Sequence, residues 1–313
     1  MKAIQMSQFG GKEVLEWVSI PTPEPKEGEV LVKIHAAGVN PVDWKIREGK
    51  LQGRMPHEFP VIPGWEFSGV VEARGHAARR FEIGDEVFSY CRRPTISKGA
   101  YAEWIAIPES YLAKKSKAMS FEESAGTPLA GLTAYQCLFQ LADCKAGNTV
   151  LILGASGGVG SFAVQLAKNV GATVIGLAGP ENQEFLKNEW KVDLALNYKN
   201  PDWKKEFLHS YPKGADLVMD FVGGPTFQDG VSCLHSQGRI VSILESDFSA
   251  IPNVSAAYHF VEPNAKHLET LSRLADEGKL KTYVSRTFPL SKAAEAMEEI
   301  GRFHTRGKIV LNV

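Results

Sequence analysis

The sequence predicts an α/β protein in which an irregular β domain precedes a doubly wound parallel sheet, and three features carry this prediction. The first 120 residues hold short apolar runs broken by Pro and Gly, with few helical periods. Later apolar runs alternate with helix-like segments, which is typical of parallel sheets covered by helices on both faces. Between one such run and its helix lies GASGGVG (154–160), with four glycines in seven residues. We therefore expect two domains of different architecture.

Length and charge narrow the classes of function. A chain of 313 residues can form two domains, each with its own core. The formal net charge is −1 and no basic block occurs, so nucleic-acid binding has no electrostatic support. No apolar stretch reaches the roughly 18 residues of a membrane span, and the N-terminus lacks a signal-peptide pattern. Four cysteines without CxxC spacing favour free thiols, so we expect a cytoplasmic protein that binds neither nucleic acid nor membrane.

The elements follow in order along the chain. Predicted strands of the first part are 30–34, 69–73, 86–90 and 102–107. A long helical pattern covers 121–141, where Ser120 and Glu123 offer a capping box. Strands at 149–153, 173–177, 193–198, 215–222 and 238–244 then alternate with helices after the glycines, at 202–210 and near 226–236.

The C-terminal tail contains a helix near 264–278, a strand at 282–288, a helix at 291–301 and a last strand at 308–313. Because this tail is too long for a spare element, we expect it to pack back on the first domain. The predicted domains are therefore 1–122 with 263–313, and 123–262.

The glycine-rich segment predicts a dinucleotide site. It follows the continuously apolar run 149–153, and residues 158–163 match the G-x-G-x-x-A variant of the dinucleotide pattern. Without a Cβ, the turn brings backbone N–H groups and the positive end of a helix dipole against a pyrophosphate. The residues predicted to bind it are Ser156, Gly157, Gly158, Val159 and Gly160.

Further short motifs occur in a fixed order along nearly the whole chain. They are AAGVNPVDWKIREG (36–49), IPGWEFSGVV (62–71), GDEVF (84–88), GAYAEW (99–104), AGLTAY (130–135) and RGKIVL (306–311). In this order the chain resembles the medium-chain dehydrogenases/reductases, in their zinc-free quinone oxidoreductase (zeta-crystallin-like) branch. The resemblance implies a GroES-like β domain joined to a Rossmann domain, an active site in the cleft between them, and a homodimer.

Departures from the wider family concern the metal. Zinc alcohol dehydrogenases of that family carry Cys where this chain has Asp43, and His where it has Trp65. Their four-cysteine structural zinc loop has no counterpart between residues 90 and 99. Since a catalytic zinc needs about three protein ligands, we predict that the chain has no metal site.

Without a metal, conjugated acceptors are the easiest substrates. Hydride added to an enone or a quinone spreads the negative charge, so a few hydrogen-bond donors worth about 3 kcal/mol each suffice. We predict an NADPH-dependent reductase of quinones or α,β-unsaturated carbonyls. The alternative is a non-catalytic NADPH-binding protein of a crystallin-like or regulatory kind, which would keep the same glycine loop.

Candidate residues around the substrate come from the resemblance. It implies that Asn40 lies beside the nicotinamide ribose and the substrate, and Asp43 is a second catalytic candidate. From the residues themselves, Asn40 could instead form an Asx-turn before Pro41, and Asp43 could cap a short helix. The aromatic residues predicted to line a flat substrate pocket are Trp44, Trp65 and Tyr90, with the protein core as their alternative.

The cofactor contacts are predicted in two ways. Val222 and Gly223, and Ser242, Ile243 and Leu244, stand at carboxyl ends of predicted parallel strands, where doubly wound sheets bind ligands. The resemblance adds four residues: Thr133, Tyr198, Arg306 and Lys308. From the residues themselves, Thr133 could be only a helix residue, and 306–308 could be a solvated turn before the last strand.

The choice between NADP(H) and NAD(H) depends on the end of strand 173–177. No acidic residue is predicted there to bind the ribose 2′-hydroxyl, which favours NADP(H) and makes NAD(H) the weaker alternative. Backbone N–H groups at Ala178 and Gly179, with Tyr198, would receive the 2′-phosphate, while Glu181 has the wrong charge for it. We expect a modest preference for NADPH.

Overall fold

The computed structural model describes residues 1–251 and 253–313, which form two compact units, residues 1–129 with 263–313 and residues 130–262. The strands are β1 (Lys2–Gln5), β2 (Glu16–Ser19), β3 (Glu29–Val39), β4 (His57–Ile62), β5 (Glu66–Arg74), β6 (Glu86–Tyr90), β7 (Ile96–Lys98), β8 (Trp104–Pro108), β9 (Leu112–Lys114), β10 (Thr149–Leu153), β11 (Thr173–Ala178), β12 (Leu194–Asn197), β13 (Ala215–Asp220), β14 (Leu234–Ser242), β15 (Ser255–Tyr258), β16 (Val284–Pro289) and β17 (Lys308–Asn312). The α-helices are α1 (Pro41–Arg47), α2 (Phe121–Ala125), α3 (Pro128–Tyr135), α4 (Gly158–Asn169), α5 (Gln183–Asn188), α6 (Trp203–Ser210), α7 (Gly224–Val231), α8 (Ala265–Asp276) and α9 (Ala293–Ile300). None of the helices described is long and apolar enough to cross a membrane.

The first unit is built on a seven-stranded sheet with the order β16-β17-β3-β5-β6-β9, and β8 also pairs with β3. The C-terminal strand β17 runs antiparallel to β3, with Ile309 opposite Val39. Strand β5 is antiparallel to β3 as well, with Phe67 opposite Ala37. These two registers bring the start of β17, the end of β3 and the start of β5 together at one end of the sheet.

The second unit contains a six-stranded, all-parallel sheet with the order β12-β11-β10-β13-β14-β15. This order runs outward in both directions from the first strand, which defines a doubly wound sheet. The α/β fold predicted from the strand–helix alternation is therefore confirmed. Strand 149–153 has the predicted bounds because its apolar residues are buried from Val150 onward.

Two expectations about elements are wrong, and one strand was not expected. The helical pattern at 121–141 forms two helices and a π-helical segment, Gln136–Leu141, because Pro128 excludes helical backbone at the residue before it. Helix α7 ends at Val231 instead of continuing to 236, since β14 already begins at Leu234. Strand β15 was not expected, because its sequence, SAAY, has few β-branched residues and is held by pairing with β14. The predicted capping box of Ser120 and Glu123 is present.

Candidate active site

The segment 154–160, called the glycine loop below, connects β10 to α4. Gly154 adopts a left-handed φ of +80°, and the N–H groups of Gly154 and Ala155 both donate to the Leu177 carbonyl at 3.0 Å. The loop is therefore tied to the end of β11. Gly157 is the N-cap of α4, and no side chain in the described part of the structure caps this helix. The first-turn N–H groups of a twelve-residue helix are thus available to an anion.

A side chain would meet different surroundings at two glycines of the loop, Gly160 and Gly157. A Cβ on Gly160 would collide with the Gly154 carbonyl oxygen and lie 2.7 Å from the Ala155 Cα, so a side chain there would push the loop away from the helix. A Cβ on Gly157 would have its nearest described atom, the Gly154 carbonyl oxygen, at 3.4 Å. Gly160 therefore permits close packing of the loop on the helix, whereas a side chain at Gly157 would make only an ordinary contact. This backbone fits a dinucleotide pyrophosphate.

Two further loops follow β13 and β14 at the same edge of the parallel sheet. Asp220, fully buried, accepts from the Gly223 N–H at 2.8 Å and from the Ser242 hydroxyl. The Ser242 oxygen in turn accepts from the N–H groups of Leu244, at 3.1 Å, and of Glu245, at 2.9 Å. This network joins the predicted contacts at 222–223 to those at 242–244. Sequence reasoning missed Asp220, although an acidic residue at the end of an otherwise apolar strand was a signal that could have identified it.

Apolar side chains are exposed on these loops. Val222 is 47% exposed and Leu244 is 44% exposed, and the Val222 Cγ2 atom lies 2.8 Å from where a Cβ on Gly154 would stand. Val222 therefore lies directly beside the glycine loop. Ile243 is half-buried, whereas Ser242 is fully buried and holds its loop through its hydrogen bonds. Exposed apolar groups at a sheet edge offer a surface for a planar ring.

The end of β11 differs from its sequence interpretation. A short 3₁₀ turn, Pro180–Asn182, follows Gly179, and it folds the carboxylate of Glu181 over Gly179, where a Cβ would collide with it. The expectation that no carboxylate lies at this strand end is therefore wrong. Tyr198, 45% exposed, is adjacent, because its N–H donates to the Ala178 carbonyl at 3.2 Å.

In the first unit, Asn40, Glu66 and Lys308 form a buried group called the polar cluster below. The Asn40 Nδ2 atom donates to Glu66 Oε1 at 2.7 Å, and the Lys308 ammonium donates to the same carboxylate oxygen at 2.8 Å and to Asn40 Oδ1. The Leu129 N–H donates to the other oxygen, Glu66 Oε2, at 2.7 Å. All three side chains are nearly inaccessible to solvent. The carboxylate and the ammonium therefore bond each other, and the amide gives them one N–H and its oxygen.

The local sequence explains why these residues meet. Asn40 follows the last residue of β3, Glu66 begins β5 and Lys308 begins β17, so the antiparallel registers place them at one sheet end. Gly38 makes room for the carboxylate, since a Cβ there would collide with Glu66 Oε1 and with the Ala125 carbonyl. Glu66 was quoted within a sequence motif but was given no role from the sequence.

That Lys308 contacts the cofactor stays a prediction. In this structure its ammonium bonds Asn40 and Glu66 of the first unit. Its ammonium also faces the Val39 carbonyl at 3.5 Å, so its protons are directed to oxygen atoms of the first unit. A direct bond to a phosphate would require these bonds to break. Arg306, two residues earlier, is half-buried and lines a surface pocket with Arg286 and Arg302. Thr133 is buried within α3.

Asp43 lies in the first turn of α1. Its Oδ2 atom accepts from the Asn40 N–H and from the Tyr101 hydroxyl, both at 2.8 Å, and the helix-capping alternative is therefore observed. Its Oδ1 atom is buried without a hydrogen-bond partner among the described residues. Burial raises the pKa of Asp43 to about 7, against the lowering effect of the Asn40 N–H and the Tyr101 hydroxyl. Tyr101 was missed because no short-range pattern connects it to Asp43.

The three predicted pocket aromatics differ in exposure. Trp44 is half-buried and contacts the Phe303 ring edge-on at 6.1 Å between centroids. Trp65 and Tyr90 are buried and pack against each other edge-on at 6.2 Å. Burial thus favours the core alternative for Trp65 and Tyr90, and leaves Trp44 as the accessible ring of the three.

The donor groups near Asp43 do not fit a zinc ion. The Oδ2 atom of Asp43 and both oxygens of Glu66 already accept hydrogen bonds. Burial raises the pKa of the Cys91 thiol, whereas zinc binds the thiolate. Within residues 1–251 and 253–313, no three His, Cys, Asp or Glu side chains are grouped as metal ligands. That the protein works without a metal remains a prediction.

Comparison with known proteins covers nearly the whole chain. Residues 26–117 match the alcohol dehydrogenase GroES-like domain, and residues 190–311 match a domain described as zinc-binding dehydrogenase. A chloroplastic quinone-oxidoreductase homolog of Spinacia oleracea is 34% identical over 99% of this chain and 98% of its own length. The chloroplastic NADPH-dependent alkenal/one oxidoreductase of Arabidopsis thaliana is 33% identical over 99% of this chain and 79% of its own length.

A solved structure agrees with these relatives. The quinone oxidoreductase from Coxiella burnetii is 37% identical, covers 100% of this chain and 99% of its own, and superimposes with a TM-score of 0.89. Identity above 30% over almost the full length, together with the GroES-like match in the first unit and the doubly wound sheet in the second, settles the family. The protein belongs to the medium-chain dehydrogenases/reductases, in the branch of the quinone oxidoreductases.

Proposed function

We propose that the protein is a reductase that transfers hydride from NADPH to quinones or α,β-unsaturated carbonyls without a metal ion. The observation that carries this proposal is that the zinc-ligand positions of the wider family hold Asp43, already bonded to two donors, and the indole Trp65, while the glycine loop leaves the start of α4 open to an anion. The names of the relatives, which include quinone and alkenal/one oxidoreductases, agree with this substrate class.

The second unit would hold the cofactor, a nicotinamide dinucleotide. When bound, this group supplies the hydride. The first-turn N–H groups of α4 would bind its pyrophosphate, with Gly157 leaving room for the close approach. Val222 and Leu244 would offer apolar surface to the nicotinamide half. The Asp220–Ser242 pair would hold both loops in place, so little ordering remains to be done on binding.

In the first unit, Asn40 would be the donor to substrate or ribose oxygen. Its Oδ1 atom accepts from Lys308 and one Nδ2 proton is given to Glu66, which leaves the second Nδ2 proton without a hydrogen bond to any residue that the structure describes. Glu66 and Lys308 are then positioning residues, because they set which way the amide points. We keep Asp43 as a positioning residue too, since it bonds the Asn40 N–H and the Tyr101 hydroxyl.

NADP(H) is our proposed cofactor, with NAD(H) the weaker alternative. The N–H groups around Ala178 and Gly179 and the exposed ring of Tyr198 would receive a 2′-phosphate, and the alkenal/one relative is named as NADPH-dependent. The carboxylate of Glu181 over Gly179 opposes this choice, so the preference should be modest.

We further propose a cytoplasmic homodimer. The dimer is implied by the family, and sedimentation should give about twice the 34.3 kDa of one chain. A reducing compartment agrees with the four cysteines, all of which are free and buried. Cell fractionation that finds the protein in an organelle would contradict the location.

The experiment is a spectrophotometric screen of NADPH oxidation. Quinones and alkenals should be reduced, simple ketones should not, and a strong chelator should leave the rates unchanged. Tight NADPH binding without turnover of any acceptor would support the non-catalytic alternative instead. One tightly held zinc per chain, with activity lost on its removal, would contradict metal independence.

A further inference from the structure

The imidazole of His259 is held firmly at the carboxyl edge of the parallel sheet. His259 directly follows β15, and its N–H donates to the Ser242 carbonyl at 2.9 Å, so the residue is joined to the end of β14. Its Nε2 atom lies 2.8 Å from Gln136 Oε1. The ring is half-buried, and Nδ1 makes no hydrogen bond with any residue in the described ranges. A side chain so well supported keeps one polar atom that the protein itself does not use.

Gln136 determines which nitrogen of His259 carries the proton. The Gln136 side chain is buried, its Oε1 accepts from the Glu262 N–H at 3.0 Å, and its Nε2 donates to the Glu262 carbonyl at 2.8 Å. Because these two backbone bonds fix the orientation of the amide, an acceptor faces His259 and the His259 Nε2 atom must donate. Nδ1 of the neutral ring is therefore a hydrogen-bond acceptor.

The charge state agrees with this assignment. Burial lowers the pKa of His259 below its ordinary value, against a smaller opposite effect of Glu262. The neutral ring is thus the main form at pH 7. Gln136 itself begins the π-helical segment Gln136–Leu141, a geometry found frequently at functional sites.

The position of His259 in the sheet indicates which part of a dinucleotide it would meet. Doubly wound sheets are made of two halves, one for each nucleotide. The half β10–β12 carries the glycine loop, Glu181 and Tyr198, where the adenosine side belongs. The half β13–β15 carries the exposed Val222 and Leu244 and ends at His259. With strands about 4.8 Å apart, β14 and β15 lie two and three spacings, about 10–14 Å, from β10.

We propose that His259 is a specificity-determining residue of the cofactor site, whose Nδ1 atom accepts a hydrogen bond from the carboxamide N–H of nicotinamide. The carboxamide carries the N–H donors of that ring, and a neutral imidazole nitrogen is a matching acceptor. The inference rests on the proposed function, because it assumes that a nicotinamide dinucleotide binds. Gln136 is its positioning residue.

The test uses two variants that separate the two ring nitrogens. In His259→Asn, an amide oxygen can stand where Nδ1 was, whereas the contact with Gln136 is lost. In His259→Gln, the longer amide keeps the contact with Gln136 and the Nδ1 acceptor is lost. Calorimetric titration would measure the dissociation constants of NADP⁺ and of its 3-acetylpyridine analogue, in which a methyl group replaces the amide nitrogen. Thermal unfolding would check that both variants fold.

We expect the wild type and His259→Asn to bind NADP⁺ about fivefold to tenfold more tightly than the analogue, as one hydrogen bond allows. His259→Gln should bind both nearly equally. The reverse pattern would overturn the inference by showing that His259 acts only through Gln136. An equal loss of affinity for both compounds in His259→Gln would overturn it by pointing to a ribose hydroxyl.

Two wild-type results keep the inference testable even if a variant does not fold. A wild-type protein that binds NADP⁺ and the analogue equally would contradict this inference while leaving the proposed function intact. A wild-type protein that binds neither compound would contradict the proposed function, and this inference with it.

Discussion

The glycine loop of the second unit and the polar cluster of the first are both assembled at strand ends, yet they use different parts of the chain. The loop consists of backbone groups within seven consecutive residues, tied to β11 through the Leu177 carbonyl. The cluster consists of side chains, with Asn40 separated from Glu66 by 26 positions and from Lys308 by 268. The glycine loop is thus made of backbone groups close together in the sequence, whereas the polar cluster is made of polar and charged side chains far apart in the sequence.

This difference predicts how each region fails. A loop of backbone donors is spoiled by added volume, and residues 154–160 contain no charged side chain whose loss could spoil it. A buried carboxylate that shares an ammonium is spoiled by the loss of one partner, because the remaining charge cannot be solvated. Four experiments test this contrast, beginning with the largest expected effect.

Removing the ammonium from the polar cluster should be the most destabilising change. Lys308→Met leaves Glu66 buried without its cation, so the free energy of unfolding in urea should fall by about 3–5 kcal/mol. The double variant Lys308→Met/Glu66→Gln should recover much of this loss. Lys145→Met is the control, since it removes an exposed pair with Asp143 and should cost less than about 1 kcal/mol. If Lys308→Met and Lys145→Met lost the same unfolding free energy, Lys308 would contribute no more than an exposed lysine, which would contradict the buried ion pair with Glu66.

Adding one methyl group to the glycine loop should separate packing from binding. Gly160→Ala pushes against the Gly154 carbonyl and should lower the unfolding free energy by about 2 kcal/mol. In Gly157→Ala the new Cβ would meet the Gly154 carbonyl oxygen at an ordinary contact distance of 3.4 Å, at a φ of −75°, so its thermal unfolding should match the wild type while NADP⁺ binding weakens. Calorimetric titration and thermal melts measure both. Normal NADP⁺ binding in Gly157→Ala would remove this residue from the pyrophosphate site.

The buried Asp43 should make stability depend on pH. Its pKa is about 7 in the folded protein and near 3.8 in the unfolded chain, so the folded state holds an extra proton between these values. Stability is therefore lost as the pH rises, by about 2 kcal/mol between pH 5 and pH 7 from this group. Asp43→Asn keeps an acceptor for Tyr101 and Asn40 and should remove this slope. Urea unfolding at several pH values measures it, and identical slopes in the two proteins would refute the assignment.

The smallest expected effect concerns Glu181. We expect a preference of the wild type for NADPH over NADH of about tenfold in kcat/KM, equal to roughly 1.4 kcal/mol. A carboxylate about 5–6 Å from the 2′-phosphate in a partly wet site costs on the order of 0.5–1 kcal/mol. Glu181→Lys should therefore raise the preference, whereas Glu184→Lys, on the exposed side of α5, should leave it unchanged.

Two results would count against this last expectation. Equal or better use of NADH by the wild type would refute the NADPH preference. An unchanged ratio in Glu181→Lys would mean that its carboxylate does not reach the cofactor.

Short-range patterns predicted the second unit, and residues 120–129 just before it in the chain, well. The glycine loop, the five strands from β10 to β14 and the capping box at Ser120 depend on residues within a few positions of one another, so each is legible from a window of the sequence. The errors there have local causes too, since Pro128 interrupts the long helix. Strand β15 escaped because its four residues depend on β14 for pairing.

What the sequence by itself determined is the type of fold, the glycine loop and the family resemblance, because apolar periodicity, glycine spacing and short motifs each extend over one turn or one strand. The tertiary structure decided the parts made of distant side chains. Antiparallel registers placed Glu66 and Lys308 on Asn40, and strand pairing placed His259 against Ser242. The tertiary structure also places the carboxylate of Glu181 over Gly179 and buries Tyr90. The sequence gives the chemical type of each residue. Its partners, its burial and its pKa depend on which strand ends lie together in the folded sheet.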